Sequence, residues 1–441
     1  MTKMKILHAG MILAILGLVN IALAQNTLTP SEVVRITLEN NYNIKIAKND
    51  VSVAENNTRP SANGYLPTVN ATGRANSSLG SSTQKFSNGN ENNVVNSFNW
   101  GSSASIGANY TIYDKTRGVT VNQLKEVVQL FDLQLRQTIE NNLFSVFTNY
   151  FEVARLTANE KVLEQTLGVS QQRLLRAKYQ YDYGQGIRLD VLNAEVDIKR
   201  DSINLLNLRN QLSNAKHNLN FAMGQEVSSL VEVDTLVEYM NGLSLEMLLK
   251  EAQENNVLID LINQNLSISA YDLKLINAAR LPTLGATTSY DFSFSDNAPG
   301  AFIDLSRSRG LAAALNVSWN IFDGGRRKVQ RDNTQINIES QVIQKEQILQ
   351  QLERDVANAW ESYQNALFVL QAEAQNLSTN RLNFQRTEEL FRVGQITSVE
   401  FRQAQLNLLN AATNYNTAKY AAKIIEIQLI QLSGGILDME F

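Results

Sequence analysis

Few residues in this chain of 441 could do covalent chemistry. There is no cysteine and there are only two histidines, His8 and His217, so thiolate chemistry and a histidine metal cluster are both excluded. The carboxylate pair Glu388-Glu389 has no partnered base beside it in its helical segment. The stretch "FDGGRRK" from Phe322 offers glycines and cations without phosphate-loop spacing, and Arg326, Arg327 and Lys328 read as a solvated charge run. What remains is a pair of acids at matching places: Asp190 in "YDYGQGIRLDV" and Glu400 in "LFRVGQITSVEF", each six residues after a glycine. An acid there suits the first turn of a helix, where the macrodipole favours it by roughly 0.3 to 1 kcal/mol.

Matching places imply matching halves. "YLPTVNAT" from Tyr65 and "RLPTLGAT" from Arg280 align without a gap at an offset of 215, as do Glu39-Asn40-Asn41 and Glu254-Asn255-Asn256. "YTIYDKTRG" from Tyr110 and "WNIFDGGRR" from Trp319 follow at 209, and Gly184-Gln185 and Gly394-Gln395 at 210. A period this long is a duplicated domain rather than a solenoid repeat.

Each half changes character along its length. Trp100, Ala104, Ile106, Ala108, Tyr110 and Ile112 alternate with polar or small residues, as do Leu311, Ala313, Leu315, Val317, Trp319 and Ile321, giving strands with one apolar and one polar face. The "LPT" stretches supply their partners, so each half holds one hairpin, with polar tips at "SNGNENNVVNS" from Ser87 and "SDNAPG" from Ser295. Beyond the hairpins come long helices. Val191, Ala194, Ile198, Asp201, Leu205, Leu208, Leu212, Ala215, Leu219 and Ala222 step by three and four, as do Phe401, Ala404, Leu408, Ala411, Tyr415, Ala418, Ala422, Ile425, Leu429 and Leu432, runs of about 35 residues. These are coiled-coil seams, and Asp201 is their one charged member. A partner helix of about 60 residues precedes each and is roughly 90 Å long. The segments 43–62 and 258–277 are expected to cover what the shorter returning helices leave bare.

Residues 1–24 read as an export signal, with Lys3 and Lys5 before an apolar run and Ala22-Leu23-Ala24 before Gln25; the alternative, a retained anchor, has too short an apolar core. No later run spans a bilayer as a helix. A membrane form would have to be a β-barrel, and four strands cannot close one, so the sheet either joins copies of itself in lipid or lies in a soluble sandwich. Trp100, Tyr110, Tyr113, Trp319 and Phe322 stand where an aromatic girdle would. Nothing in a net charge of −4 points to a nucleic-acid partner, and none is expected.

The order of "LPT", "IYD"/"IFDGG" and "G(x)₅[DE]" in both halves resembles the outer-membrane efflux protein family, the TolC-like exit ducts, over essentially the whole chain after the signal. The resemblance implies a mainly α protein with a membrane β-barrel portion: a homotrimer whose four strands per chain form a 12-stranded barrel, continued by a 12-helix periplasmic α-barrel. It implies residues 25–224 as the first repeat (hairpin about 64–114, helical hairpin about 117–222), 225–243 as a linker and 244–441 as the second repeat (hairpin about 281–323, helical hairpin about 326–433). It implies a passive, non-enzymatic exit duct for efflux or type I secretion in the outer membrane of a diderm bacterium, without a cofactor, served by a periplasmic adaptor and an inner-membrane pump. Gly184, Gln185, Gly394, Gln395, Ile396 and Thr397 would then meet the adaptor, although turn chemistry alone explains the glycines. Asp190 and Glu400 would ring the entrance and favour cations. Gln403 and Ile396 replace an acidic and a basic residue of the family pattern, which points to a hydrophobic latch involving Phe391 rather than a salt-bridged lock. The competing reading is a non-conducting trimeric spacer or adhesin; the polar strand face favours a hydrated bore.

Overall fold

The structure, a computed structural model, describes residues 27–297 and 303–439. The expected export signal and the outermost part of the second hairpin tip lie outside them. In order come α1 (Pro30–Asn40), α2 (Tyr42–Asn57), β1 (Thr68–Lys85), β2 (Glu91–Tyr113), α3 (Lys115–Asp182) and α4 (Arg188–Met223). The second half repeats this as α5 (Leu245–Asn255), α6 (Val257–Ala278), β3 (Thr283–Asp296), β4 (Leu305–Ser318), α7 (Arg326–Arg392) and α8 (Ser398–Leu432). At 1.5 Å per residue, α3 is about 100 Å long.

The chain forms two compact units, and neither is one of the sequence repeats. One gathers residues 27–48, 134–260 and 347–439; the other gathers 49–133 and 261–346, apart from undescribed residues. Each unit therefore draws on both halves.

The second unit carries one antiparallel sheet in the order β1-β2-β3-β4. Its register puts Val69, Ala71, Ile106, Ala108, Tyr290, Phe292, Leu311 and Leu315 on one face. Nothing among the described residues covers that face: Leu311 is 76% exposed, Leu315 72% and Ile106 61%. β1 and β4 are both free edges. β2 pairs with β3 only as far as Trp100↔Asp296, whereas β1 and β2 stay paired to Lys85↔Glu91. The pairing of β1 with β2 thus continues about 26 Å beyond the last pair of β2 with β3.

Three expectations are corrected here. The first tip is only the turn at 86–90, with Phe86 N donating to Asn90 O, and "ENNVVNS" is strand. β4 stops at Ser318, so Trp319 and Ile321 are not strand residues. Side-chain bonds take over there: the Trp319 indole donates to Arg280 O at 3.0 Å and Arg327 donates to Asn320 O at 2.6 Å. The same bonds revise the basic cluster. Arg327 is largely buried and paired with Asp323 at 2.9 Å, while Asp323 accepts from the backbone of Gly325 and Arg327 to start α7. In the first half Asp114 accepts from Thr116, and Arg117 reaches Gly64 O and Thr111 O.

The first unit packs Val33, Phe147, Tyr150, Phe151, Leu219 and Ile427 into its main core. The "ENN" repeats make its joints. Asn41 Nδ2 donates to Ala222 O at 2.7 Å and Asn256 Nδ2 to Leu432 O at 2.8 Å, so the starts of α2 and α6 meet the ends of α4 and α8. Gly224 and Gly434 close those helices with φ of +73° and +79°; a Cβ there would lie 2.4 Å from Asn40 O and 2.5 Å from Asn255 O. The linker is clasped on the same unit. Tyr420 donates to Thr235 O, Lys423 to Glu238 O, and fully buried Glu426 accepts from Met240 N and Tyr363 Oη.

Candidate functional site at the helical turns

Both long helical hairpins reverse through the same motif. Gln185 N donates to Gln180 O and Gly184 N to Tyr181 O; Gln395 N donates to Leu390 O and Gly394 N to Phe391 O. These paired bonds satisfy the last carbonyls of α3 and α7 and require a left-handed residue, which glycine supplies at φ +72° and +79°. The glycines are therefore explained by the turn, while Gln185 and Gln395 leave their side chains exposed.

The next helices start differently. Thr397 caps α8: its Oγ1 accepts from Glu400 N at 3.2 Å, and Glu400 Oε2 accepts from Thr397 N at 2.8 Å, a reciprocal capping box. The backbone bond from Thr397 holds the Glu400 carboxyl below its ordinary pKa. Ile187 caps α4 with no side-chain bond, and no corresponding donor meets the Asp190 carboxylate among the described residues. The two acids share a sequence position but not an environment.

Phe391 is stacked on Phe401, centroids 4.5 Å apart, with the Arg176 guanidinium 4.7 Å over its other face. Phe384, Ala404, Ile396 and Val169 complete the cluster. Arg176 also donates to Arg392 O at 2.9 Å, which ties α3 to the end of α7. Gln403 is exposed and donates to Asn407.

Behind these turns lies a buried polar cluster that the residue types alone did not single out. Arg402 donates to both carboxylate oxygens of Asp201, Nη2–Oδ1 2.6 Å and Nη1–Oδ2 2.8 Å. Ser170 donates to Asp201 Oδ2 at 2.6 Å, and Gln405 bridges Arg402, Ser170 and Thr166 O. Arg173 pairs with Asp197, which also lies 3.6 Å from Arg402 Nε. Asp201 is 2% exposed and Arg402 7%. The cluster joins α3, α4 and α8. The one legible signal was Asp201, alone among apolar seam positions and so in need of a cation.

The outer membrane efflux protein family matches this chain twice, over residues 33–225 and 248–435. The chain belongs to that family. It is a family of non-enzymatic transport proteins, outer-membrane efflux channels of the TolC and CusC type that reach into the periplasm of Gram-negative bacteria. Among its relatives, the outer membrane protein TolC of Vibrio cholerae is 21% identical over 346 residues, 77% of this chain and 78% of that one. The cation efflux system protein CusC of Escherichia coli is 23% identical over 308 residues, 66% of this chain and 63% of that one. The fold matches the crystal structure of CusC with a TM-score of 0.69 at 19% identity, over 92% of both chains. It matches the CmeC outer membrane channel of Campylobacter jejuni at 0.68 and 16% identity, over 92% of this chain and 86% of the other. Members of this outer membrane efflux protein family thus share its mainly helical architecture with four antiparallel strands per chain.

Proposed function

We propose that three copies of this chain assemble a continuous exit duct, fed at its periplasmic end by an adaptor and an inner-membrane pump. The observation that carries this reading is the sheet: two free edges and an uncovered apolar face in one chain. Each unpaired backbone group in lipid costs several kcal/mol, and closure by further copies removes them all. Val329, Ile336 and Ile343, exposed at seven-residue spacing on α7, add a seam that a neighbouring copy would fill. The polar face of the strands then lines a hydrated bore. Residues 1–24 are removed on export in this reading, and the two repeats are the staves of the tube.

The adaptor docks on the turns at Gly184, Gln185, Gly394, Gln395, Ile396 and Thr397. Asp190 and Glu400 set the charge of the entrance, with Phe391 and Gln403 beside it. Single-channel recording of purified trimers, with and without adaptor, tests the assignment. A conductance that the adaptor raises supports the duct; stable monomers, or trimers that never conduct, refute it, and the latter outcome leaves a membrane-anchored spacer. Replacing Asp190 or Glu400 by Ala should shift the reversal potential toward anions, since the capping bonds keep the Glu400 carboxylate ionised. Unchanged reversal potentials in both variants would remove the acidic ring.

A further inference from the structure

Two arginines sit on the wrong face of the sheet for a hydrated bore. Arg309 is paired with Phe292 and Arg307 with Phe294. Those phenylalanines share the face of Tyr290, Leu311, Leu315 and Ile106, which is the apolar one. The polar face of β4 at this level is Ser306, Ser308 and Gly310. Arg74, the nearest cation on β1, lies on that opposite face, in register with Ser103.

We propose that Arg307 and Arg309 bind the phosphate groups of a phosphorylated glycolipid in the outer leaflet. The inference rests on the barrel reading above, in which the apolar face meets lipid.

Position argues for it first. Arg309 stands eight residues along β4 from Val317, which is about 26 Å of strand and, at a tilt near 40°, about 20 Å of height. That is close to the full apolar band of a barrel, roughly 25 Å, so the guanidiniums reach the outer boundary rather than the bilayer centre. The aromatic residues agree: Phe294 makes an edge contact with Trp100 at 5.2 Å, and Arg307 lies 5.6 Å over Phe294. An aromatic belt with arginines in it marks a headgroup level.

Charge argues for it second. Among the described residues neither arginine has an ion pair. Asp296 is the one acid of this face at that end, in the row of Trp100 and Leu305, beyond Arg307. Asp291, paired with Gly310, belongs to the other face. Alternate residues of one strand face put the two guanidiniums about 7 Å apart, each a planar fork suited to phosphate. In the same rows Phe292 and Phe294 stand next to the arginines, and beyond them come only small side chains, Ala104 and Ser102 on β2 and Gly73 and Ala75 on β1. Cationic forks at a headgroup level, with small side chains across the phenylalanines, are complementary to phosphates carried on a bulky sugar. Leaflet lipids without phosphate would leave the arginines unmatched.

The test is native mass spectrometry of delipidated trimers titrated with diphosphorylated lipid A, with dephosphorylated lipid A and with inorganic phosphate. Wild-type protein and Arg74→Gln should retain the diphosphorylated lipid equally. R307Q/R309Q should retain it about thirtyfold less, taking about 1 kcal/mol of headgroup attraction per arginine, and R307K/R309K should fall between. Equal retention by wild type and R307Q/R309Q overturns the site. Equal retention of phosphorylated and dephosphorylated lipid by wild type does so too, and inorganic phosphate displacing all lipid assigns the arginines to free anions instead. If R307Q/R309Q does not assemble, R309Q alone is compared by the same criteria. Trimer content is read from the same spectra, so a wild-type chain that stays monomeric refutes the barrel and not merely the lipid site.

Discussion

Arg402→Met tests whether the buried cluster behind the turns holds three helices together. Methionine keeps the apolar stem of the side chain and removes the guanidinium. Asp201, 2% exposed, would then keep only the Ser170 hydroxyl at 2.6 Å as a donor. Breaking a buried ion pair from one side costs roughly 3–5 kcal/mol, because the surviving charge is left without compensation. Removing both partners is different, since replacement of a buried pair by apolar residues is often neutral or stabilising. Ser170 and Gln405 would each lose a partner, at about 1 kcal/mol apiece, so Asp201→Leu with Arg402→Met should cost about 2 kcal/mol. The double variant is therefore more stable than the single one. Urea unfolding gives the totals, and hydrogen exchange over residues 166–205 and 398–408 gives the local effect, with amides opening faster by about two orders of magnitude in the single variant. A single variant costing under about 1 kcal/mol, or a double variant costing the sum of the two single ones, would refute the clamp.

Gly224→Ala and Gly434→Ala should each destabilise by at least about 2 kcal/mol, read as a lowered urea midpoint, since the new Cβ meets backbone at 2.4 and 2.5 Å and the residue keeps a left-handed φ. Burial raises the pKa of Tyr150, Tyr239, Tyr363 and Tyr420, the last to about 12, above the ordinary 10.0. Between those values the unfolded chain has released protons that the folded one still holds, so stability should be full below pH 10 and fall as pH rises beyond it; a flat melting temperature across that range would count against the buried tyrosines. Glu400 is shifted the other way, so its contribution to the α8 cap is present above the ordinary carboxylate pKa and is lost as pH falls through its own lowered value. Protection factors at the first amides of α8, which allow for the slower intrinsic exchange in acid, should fall as pH is lowered, and in the Thr397→Ala variant they should already be low at neutral pH.

The long elements were legible because their signals are local and repeated. Period-two alternation named the apolar faces of β2 and β4 correctly, and heptad spacing set α4 and α8 close to their observed lengths of 36 and 35 residues. β4 was read too far because Trp319 and Ile321 continue the alternation, while the bonds beyond its end involve Arg280 and Arg327. The buried cluster was half legible. A lone Asp201 on an apolar seam demands a cation, but Arg402 is 201 positions away on another helix, off its own seam, and no spacing rule links them. The compact units escaped for a related reason: duplication is written along the chain, whereas packing joins the matching parts of both copies. The repeated "ENN" was visible as a word without a meaning until Asn41 and Asn256 were seen holding the ends of the returning helices.

In the proposed ring of three copies, the longer pairing of the first hairpin would give an uneven rim. Three tall, Asn- and Ser-rich arms would stand above the last described pairing of the second hairpins, like merlons on a parapet, so antibodies or other large visitors from outside would meet the segment 78–99 well before they reach the mouth. Variation imposed from outside should therefore collect on these arms, where exchange of one polar side chain for another disturbs neither the lipid-facing band nor the bore.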